Sequence, residues 1–194
     1  MRNEDRSENI SENTNPWKVL STRVVYHNPW ISLREDAVVH PNGEPGIYGV
    51  VHYKNRAVGV LAIEGGDIYL VGQYRYPLGR YSWEIPEGGC PEGEEPLDAA
   101  RRELEEETGL RALSWRKMGE AHLSNSVSDE QAIWFVATGL TQGENSPESS
   151  EQLSVRRVPL EEALRMALAG EMTDSVSLLA IFHYFVTSIS SVKE

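Results

Sequence analysis

A single cysteine, Cys90, stands in a chain of 194 residues. One thiol cannot close an internal disulfide, and its neighbours do not give metal-ligand spacing. The composition suits a reducing compartment, so a cytoplasmic location is expected. Cations are scarce as well: 18 Lys and Arg stand against 30 Asp and Glu, a formal net charge of −12. A phosphate backbone is held by a basic face, so nucleic acid is not an expected partner. A small phosphorylated substrate is compatible with this balance, because a bound cation can bridge two anions. No apolar run reaches the ~18 residues of a membrane span, so no membrane partner is expected. The opening stretch MRNEDRSENISENTN lacks the hydrophobic segment of a secretory signal.

What is present divides into three. Residues 1–15 are polar and expected to be a disordered tail. Residues 16–55 read as short strands punctuated by turns at Asn28-Pro29 and Pro41-Asn42-Gly43, a small antiparallel sheet. Residues 56–194 form the main domain. There, Ala57 to Ile63 is a continuous apolar strand, turned back at Glu64-Gly65-Gly66-Asp67 into a partner that Gln73-Tyr74-Arg75-Tyr76-Pro77 closes. Trp115 to His122 and Gln131 to Ala137 read as further strands, and Thr141 to Gln152 as an acidic loop. A helix over Val158 to Ala169 ends at Gly170, and a second is capped by Thr173 or Asp174. His183, inside that apolar helix, reads as a packed core histidine.

The segment Gly88 to Leu110 carries the chemistry. It reads as a glycine-rich loop entering an acidic helix that starts at Pro96 and stops at Gly109, with Asp98 at the positive end of the helix dipole. At about 100° per residue, Leu97, Ala100, Leu104 and Thr108 share the core stripe, and Glu103, Glu106 and Glu107 share the adjacent one. Arg101 can pair with Glu105, and Arg102 with Glu106, each four residues apart. Glu103 and Glu107 find no cation at helical spacing before the Gly109 break. Clustered carboxylates short of positive charge suit a hard divalent cation with oxygen ligands.

From Gly88 five residues lead to Glu94, seven more to Arg102-Glu103-Leu104, then come Glu106-Glu107 and Gly109-Leu110. This pattern resembles the Nudix box at every defining position. The sequences before it resemble the ADP-ribose and nucleoside diphosphate sugar pyrophosphatase branch of that superfamily. The resemblance implies an α+β fold, a Nudix α/β/α sandwich with a mixed sheet plus a small N-terminal antiparallel β-sheet that helps form a homodimer.

The same resemblance implies a function. A nucleoside diphosphate linked to a second group would be cleaved at its pyrophosphate, with ADP-ribose first and other nucleotide sugars next. Mg²⁺, or Mn²⁺ in its place, would be held by Glu103, Glu106 and Glu107 with the carbonyl of Glu87. Arg102 would tie down and orient Glu106 or Glu94, and Gly88 and Gly89 would let backbone approach phosphate. Arg75, in its Gln–Tyr–Arg sequence, would contact phosphate. Glu84, in the Glu–Ile–Pro–Glu–Gly run, would belong to the substrate site; residue 87 is commonly small in relatives and is glutamate here. A glutamate outside the box, Glu151 or else Glu148, would assist the attacking water; in some members the residue at Glu103 does so. Trp17, Trp30, Tyr48 and Tyr74 could clamp the base, Trp30 foremost. Alternatives are a nucleoside triphosphate or dinucleoside polyphosphate pyrophosphatase, a nucleotide-sensing module that does not cleave, and a metal-free structural helix.

Overall fold

The computed structural model describes residues 14–143 and 153–191. The expected tail, apart from residues 14 and 15, lies outside that range, as do Glu148 and Glu151. The chain divides into two compact units, Met1–His52 and Tyr53–Glu194.

The first unit is a three-stranded sheet in which β1 (Lys18–His27) pairs antiparallel with β2 (Ile31–Val39), and β2 lies beside β3 (Pro45–Tyr53). Asn28 makes the first turn chemically: its Oδ1 accepts the N–H groups of Trp30 and Ile31, both at 2.8 Å. Gly43 makes the second with φ of 90°, a conformation that excludes most side chains. Trp17 lies edge-on to Tyr48 with ring centroids 5.2 Å apart. Every residue of β1 is exposed.

The second unit is built on a mixed sheet of seven strands. Its central strand is β4 (Arg56–Glu64), where Val58 to Ala62 are all buried. The Gly65-Gly66 turn, with both φ values positive, returns the chain into β5 (Asp67–Arg75). A one-turn 3-10 helix (Tyr76–Leu78) then leads to β6 (Arg80–Glu84), which folds back on β5. Next comes β7 (Glu87–Cys90), paired antiparallel with β4. After α1 (Pro96–Thr108), the long strands β8 (Leu110–His122) and β9 (Gln131–Gln142) form an antiparallel pair, and β9 runs parallel to β4. β10 (Ser154–Pro159) closes the other edge against β5, followed by α2 (Leu160–Leu168) and α3 (Ser175–Ser191).

Alternation along β4 and β9 sorts the core into two layers. Val58, Val60, Ile133 and Phe135 pack with Ala100 and Leu104 of α1. Leu61, Trp134 and Val136 pack with Met166 of α2 and Val176 and Ile181 of α3. Helices therefore cover both faces of a mixed sheet, the α/β/α arrangement expected. His183 sits half-buried, its ring 6.0 Å from that of Trp134.

Three local readings change. Gly88 and Gly89 lie in a strand, not a loop, because β4 offers β7 a pairing edge that outweighs glycine's weak strand preference. Val158 belongs to β10, so α2 begins at Leu160. β8 begins at Leu110, five residues before Trp115. Among the described residues no helix is long and apolar enough to cross a membrane.

Candidate active site

Helix α1 starts and ends where its punctuation directs. Pro96 occupies the first turn with Asp98 beside it, and Gly109 ends the helix with φ of 69°, its N–H reaching the carbonyl of Glu105 at 2.8 Å. Ala99, Ala100, Leu104, Glu107 and Thr108 are buried. Leu97 is half-buried, and Glu107, read as part of the acidic stripe, is only 3% exposed. A carboxylate so placed needs a donor. The backbone N–H of Glu87 supplies one to Glu107 Oε2 at 2.9 Å.

Arg102 organises the other acids. Its Nε and Nη2 bind Glu94 at 3.3 and 3.0 Å, Nη2 also reaches the carbonyl of Gly89 at 2.8 Å, and Nη1 donates to Glu103 at 2.7 Å and Glu106 at 3.1 Å. One planar guanidinium thus spans three carboxylates and a strand carbonyl, which a lysine's point charge could not do. The bond to Glu94, above all, holds the guanidinium's pKa above its ordinary value against partial burial, with Glu103 and Glu106 adding to it. The carboxylate of Glu103 fills the space that a side chain at Gly88 would take.

Arg101 does not pair with Glu105. It donates to Asp98 at 2.9 Å and lies 6.0 Å from the ring centroid of Trp115, while Arg111 of β8 takes Glu105 at 2.7 Å. The strand that follows α1 competes successfully for a residue that helical spacing alone assigns elsewhere.

A second group meets at the start of β7. Across the β5–β6 pair Arg75 stands opposite Arg80 and Glu84 opposite Val71, so the Arg75 side chain reaches along the sheet, where its guanidinium Nε bonds both Glu84 carboxylate oxygens, at 3.1 and 2.9 Å. Arg75 Nη2 also binds Glu87 Oε1 at 2.6 Å. Asp174 joins from the cap of α3, where its Oδ2 accepts the Ser177 N–H at 2.7 Å. Oxygens of Glu84, Glu87 and Asp174 lie within 4.8 Å of one another. Burial, then the Asp174 and Glu84 carboxylates, push the Glu87 carboxyl well above the usual carboxylate range, against the pull of Arg75.

Among the described residues this group, rather than Glu103, Glu106 and Glu107, is the one whose acid oxygens cluster so closely. The reason is Arg102, which draws Glu103 and Glu106 to itself while Glu107 is held by Glu87. Nothing in the sequence pattern joins Asp174 or Glu84 to Arg75: β6 sets Glu84 opposite Val71, and Asp174 arrives from the start of α3.

Of the expected base-contact residues, Trp30 is 69% exposed in the first unit and Tyr74 is exposed in the second, whereas Trp17 and Tyr48 pack on each other. Gly89 faces Asn55 and gives its carbonyl to Arg102. The donors offered by Glu103, Glu106 and Glu107 are all carboxylate oxygens, and the lack of a side chain at Gly88 is what admits the Glu103 carboxylate among them. That set fits a hard divalent cation.

Known proteins resemble this chain in sequence and in fold. Residues 53–179 match the family model described as NUDIX domain, and residues 17–51 match that of the nucleoside diphosphate sugar hydrolase N-terminal domain. The chain is 31% identical over 169 residues to an ADP-ribose pyrophosphatase of Mycobacterium tuberculosis (strain ATCC 25618 / H37Rv), covering 85% of this chain and 81% of that one. It is 35% identical over 167 residues to an ADP-ribose pyrophosphatase of Bacillus subtilis (strain 168), covering 84% and 90%. A crystal structure of an ADP compounds hydrolase superposes with a TM-score of 0.83 over 93% of this chain and 98% of its own, at 19% identity, a likeness of fold.

Proposed function

The chain belongs to the Nudix family, and from that premise we propose that it hydrolyses the pyrophosphate of a nucleoside diphosphate joined to a second group. ADP-ribose, yielding AMP and ribose 5-phosphate, is the leading substrate, followed by other nucleoside diphosphate sugars. The observation that carries this reading is the single guanidinium of Arg102 spanning Glu94, Glu103 and Glu106 beside a buried Glu107. It is an arrangement that sets acid side chains rather than merely solvating them.

When bound, Mg²⁺ or Mn²⁺ supplies neutralisation of phosphoryl oxygens and acidification of a water. Glu103, Glu106 and Glu107 would hold it, with the Glu87 carbonyl. Arg102 fixes the carboxylates' orientation. Gly88 and Gly89 keep the strand edge free of side chains where phosphate approaches. Arg75, anchored by the buried Glu84, would offer a substrate oxygen its Nη1, which bonds nothing else among the described residues. Glu151 would take the proton from water, with Glu148 and Glu103 as alternatives. Trp30 would cover the base. The exposed apolar side chains of β1, among them Val19, Leu20, Val24 and Val25, support a homodimer formed through the first unit. The low cysteine content supports a cytoplasmic enzyme.

A hydrolysis panel tests the proposal. AMP and ribose 5-phosphate should appear from ADP-ribose, activity should vanish with EDTA, and the optimum should lie at neutral to alkaline pH because water must lose a proton. Pyrophosphate released from triphosphates would favour the house-cleaning alternative. Binding without turnover would make the chain a sensor.

A further inference from the structure

Residues 84–87, which lead into β7, are fastened one after another. The Glu84 carboxylate is held by Arg75, the Ile85 N–H donates to Ser177 Oγ at 2.9 Å, and the Pro86 carbonyl accepts from the Val60 N–H at 2.8 Å. Glu87 is fastened twice: its backbone N–H holds Glu107 and its side chain holds Arg75. Gly88, next in line, is the residue against which Glu103 rests. A shift of the backbone at residues 87 and 88 therefore moves the seats of two carboxylates of the box at once.

The side chain of Glu87 has no packing reason to be an acid. Its Oε2 is buried, and its neighbours there are the Asp174 and Glu84 carboxylates, which add repulsion to the desolvation cost. Its bond to a cation is made through Oε1, 2.6 Å from Arg75 Nη2. Arg75 is in turn locked to Glu84, whose side chain is 3% exposed. The start of β7 is thereby tied by a side chain to β5 and β6, in addition to its own pairing with β4.

We propose that the Glu87 side chain is a positioning residue: by its bond to Arg75 it fixes the backbone that orients Glu107 and seats Glu103, and so sets the affinity of the box for a divalent cation. This rests on the metal-dependent reading above. Orienting partners of this kind are worth on the order of tenfold or more in metal affinity.

The test is Mn²⁺ binding to the full chain without nucleotide, followed by the electron paramagnetic resonance signal of free Mn²⁺. Glu87→Ala should weaken binding about tenfold or more. Glu87→Gln, whose amide oxygen still accepts from Arg75, should bind close to the unaltered protein. Should Glu87→Ala fail to fold, Arg75→Lys breaks the same tie by removing the fork, and should weaken Mn²⁺ binding likewise. Unchanged affinity in the variant that breaks the tie overturns the positioning role alone. So does a loss in Glu87→Gln equal to that in Glu87→Ala, which would assign the effect to charge. No Mn²⁺ binding by the unaltered protein removes the metal-dependent function and this inference with it.

Discussion

The carboxylate of Glu103 lies so close over Gly88 that a Cβ at residue 88 would stand 2.1 Å from its Cδ and 2.3 Å from each of its oxygens. No pair of atoms tolerates that distance, so Gly88→Ala must displace one partner. The neighbour is the end of a flexible side chain, so Glu103 moves and the sheet stays. Stability should change by less than ~1 kcal/mol. A carboxylate misplaced by about an ångström should lower kcat/KM on the order of 100-fold. Thermal melting set beside steady-state kinetics checks both halves; a large loss of stability, or full activity, would contradict them.

Arg102 gives a second separation of activity from stability. Arg102→Lys keeps a positive charge among Glu94, Glu103 and Glu106 but cannot reach all of them and the Gly89 carbonyl together. The expected loss in kcat/KM is about 10–100-fold. The ion pairs are partly exposed, so the change in stability should stay near ~1 kcal/mol. A lysine variant as active as the parent would show that charge alone suffices.

Much of this site was readable because its punctuation is local. Pro96 and Gly109 bound α1 as their backbone preferences require, and Gly65-Gly66 turns β4 into β5. The box spacing places the acids, and Arg102 meets both Glu106 and Glu94, the two partners open to it. What escaped was non-local. Glycines at 88 and 89 look like a loop until β4 is known to lie beside them. Glu105 looks committed to Arg101 until β8 delivers Arg111. The meeting of Arg75, Glu84, Glu87 and Asp174 spans three strands and the cap of a helix, and no periodicity within one segment encodes it.

Asp174 also makes the fold sensitive to pH in a direction that can be checked. Burial first, and the Asp174 carboxylate second, raise both Glu87 and Glu130 above the ordinary value of 4.5. The folded chain therefore binds these protons more tightly than the unfolded one. Their contribution to stability is fully present below about pH 4.5 and is lost as the pH climbs through the raised values. Asp174→Asn removes the repelling charge, yet its amide oxygen can still accept the Ser177 N–H, and asparagine caps a helix as well as aspartate. In chelator-treated protein the variant should melt higher than the parent at about pH 8, by ~2–4 °C for each kcal/mol relieved. The gap should close as the pH falls below about 4.5, where Glu87 and Glu130 become protonated in both states. A gap of constant size from acid to alkaline pH would place the effect in the cap of α3 instead of in the repulsion among these carboxylates.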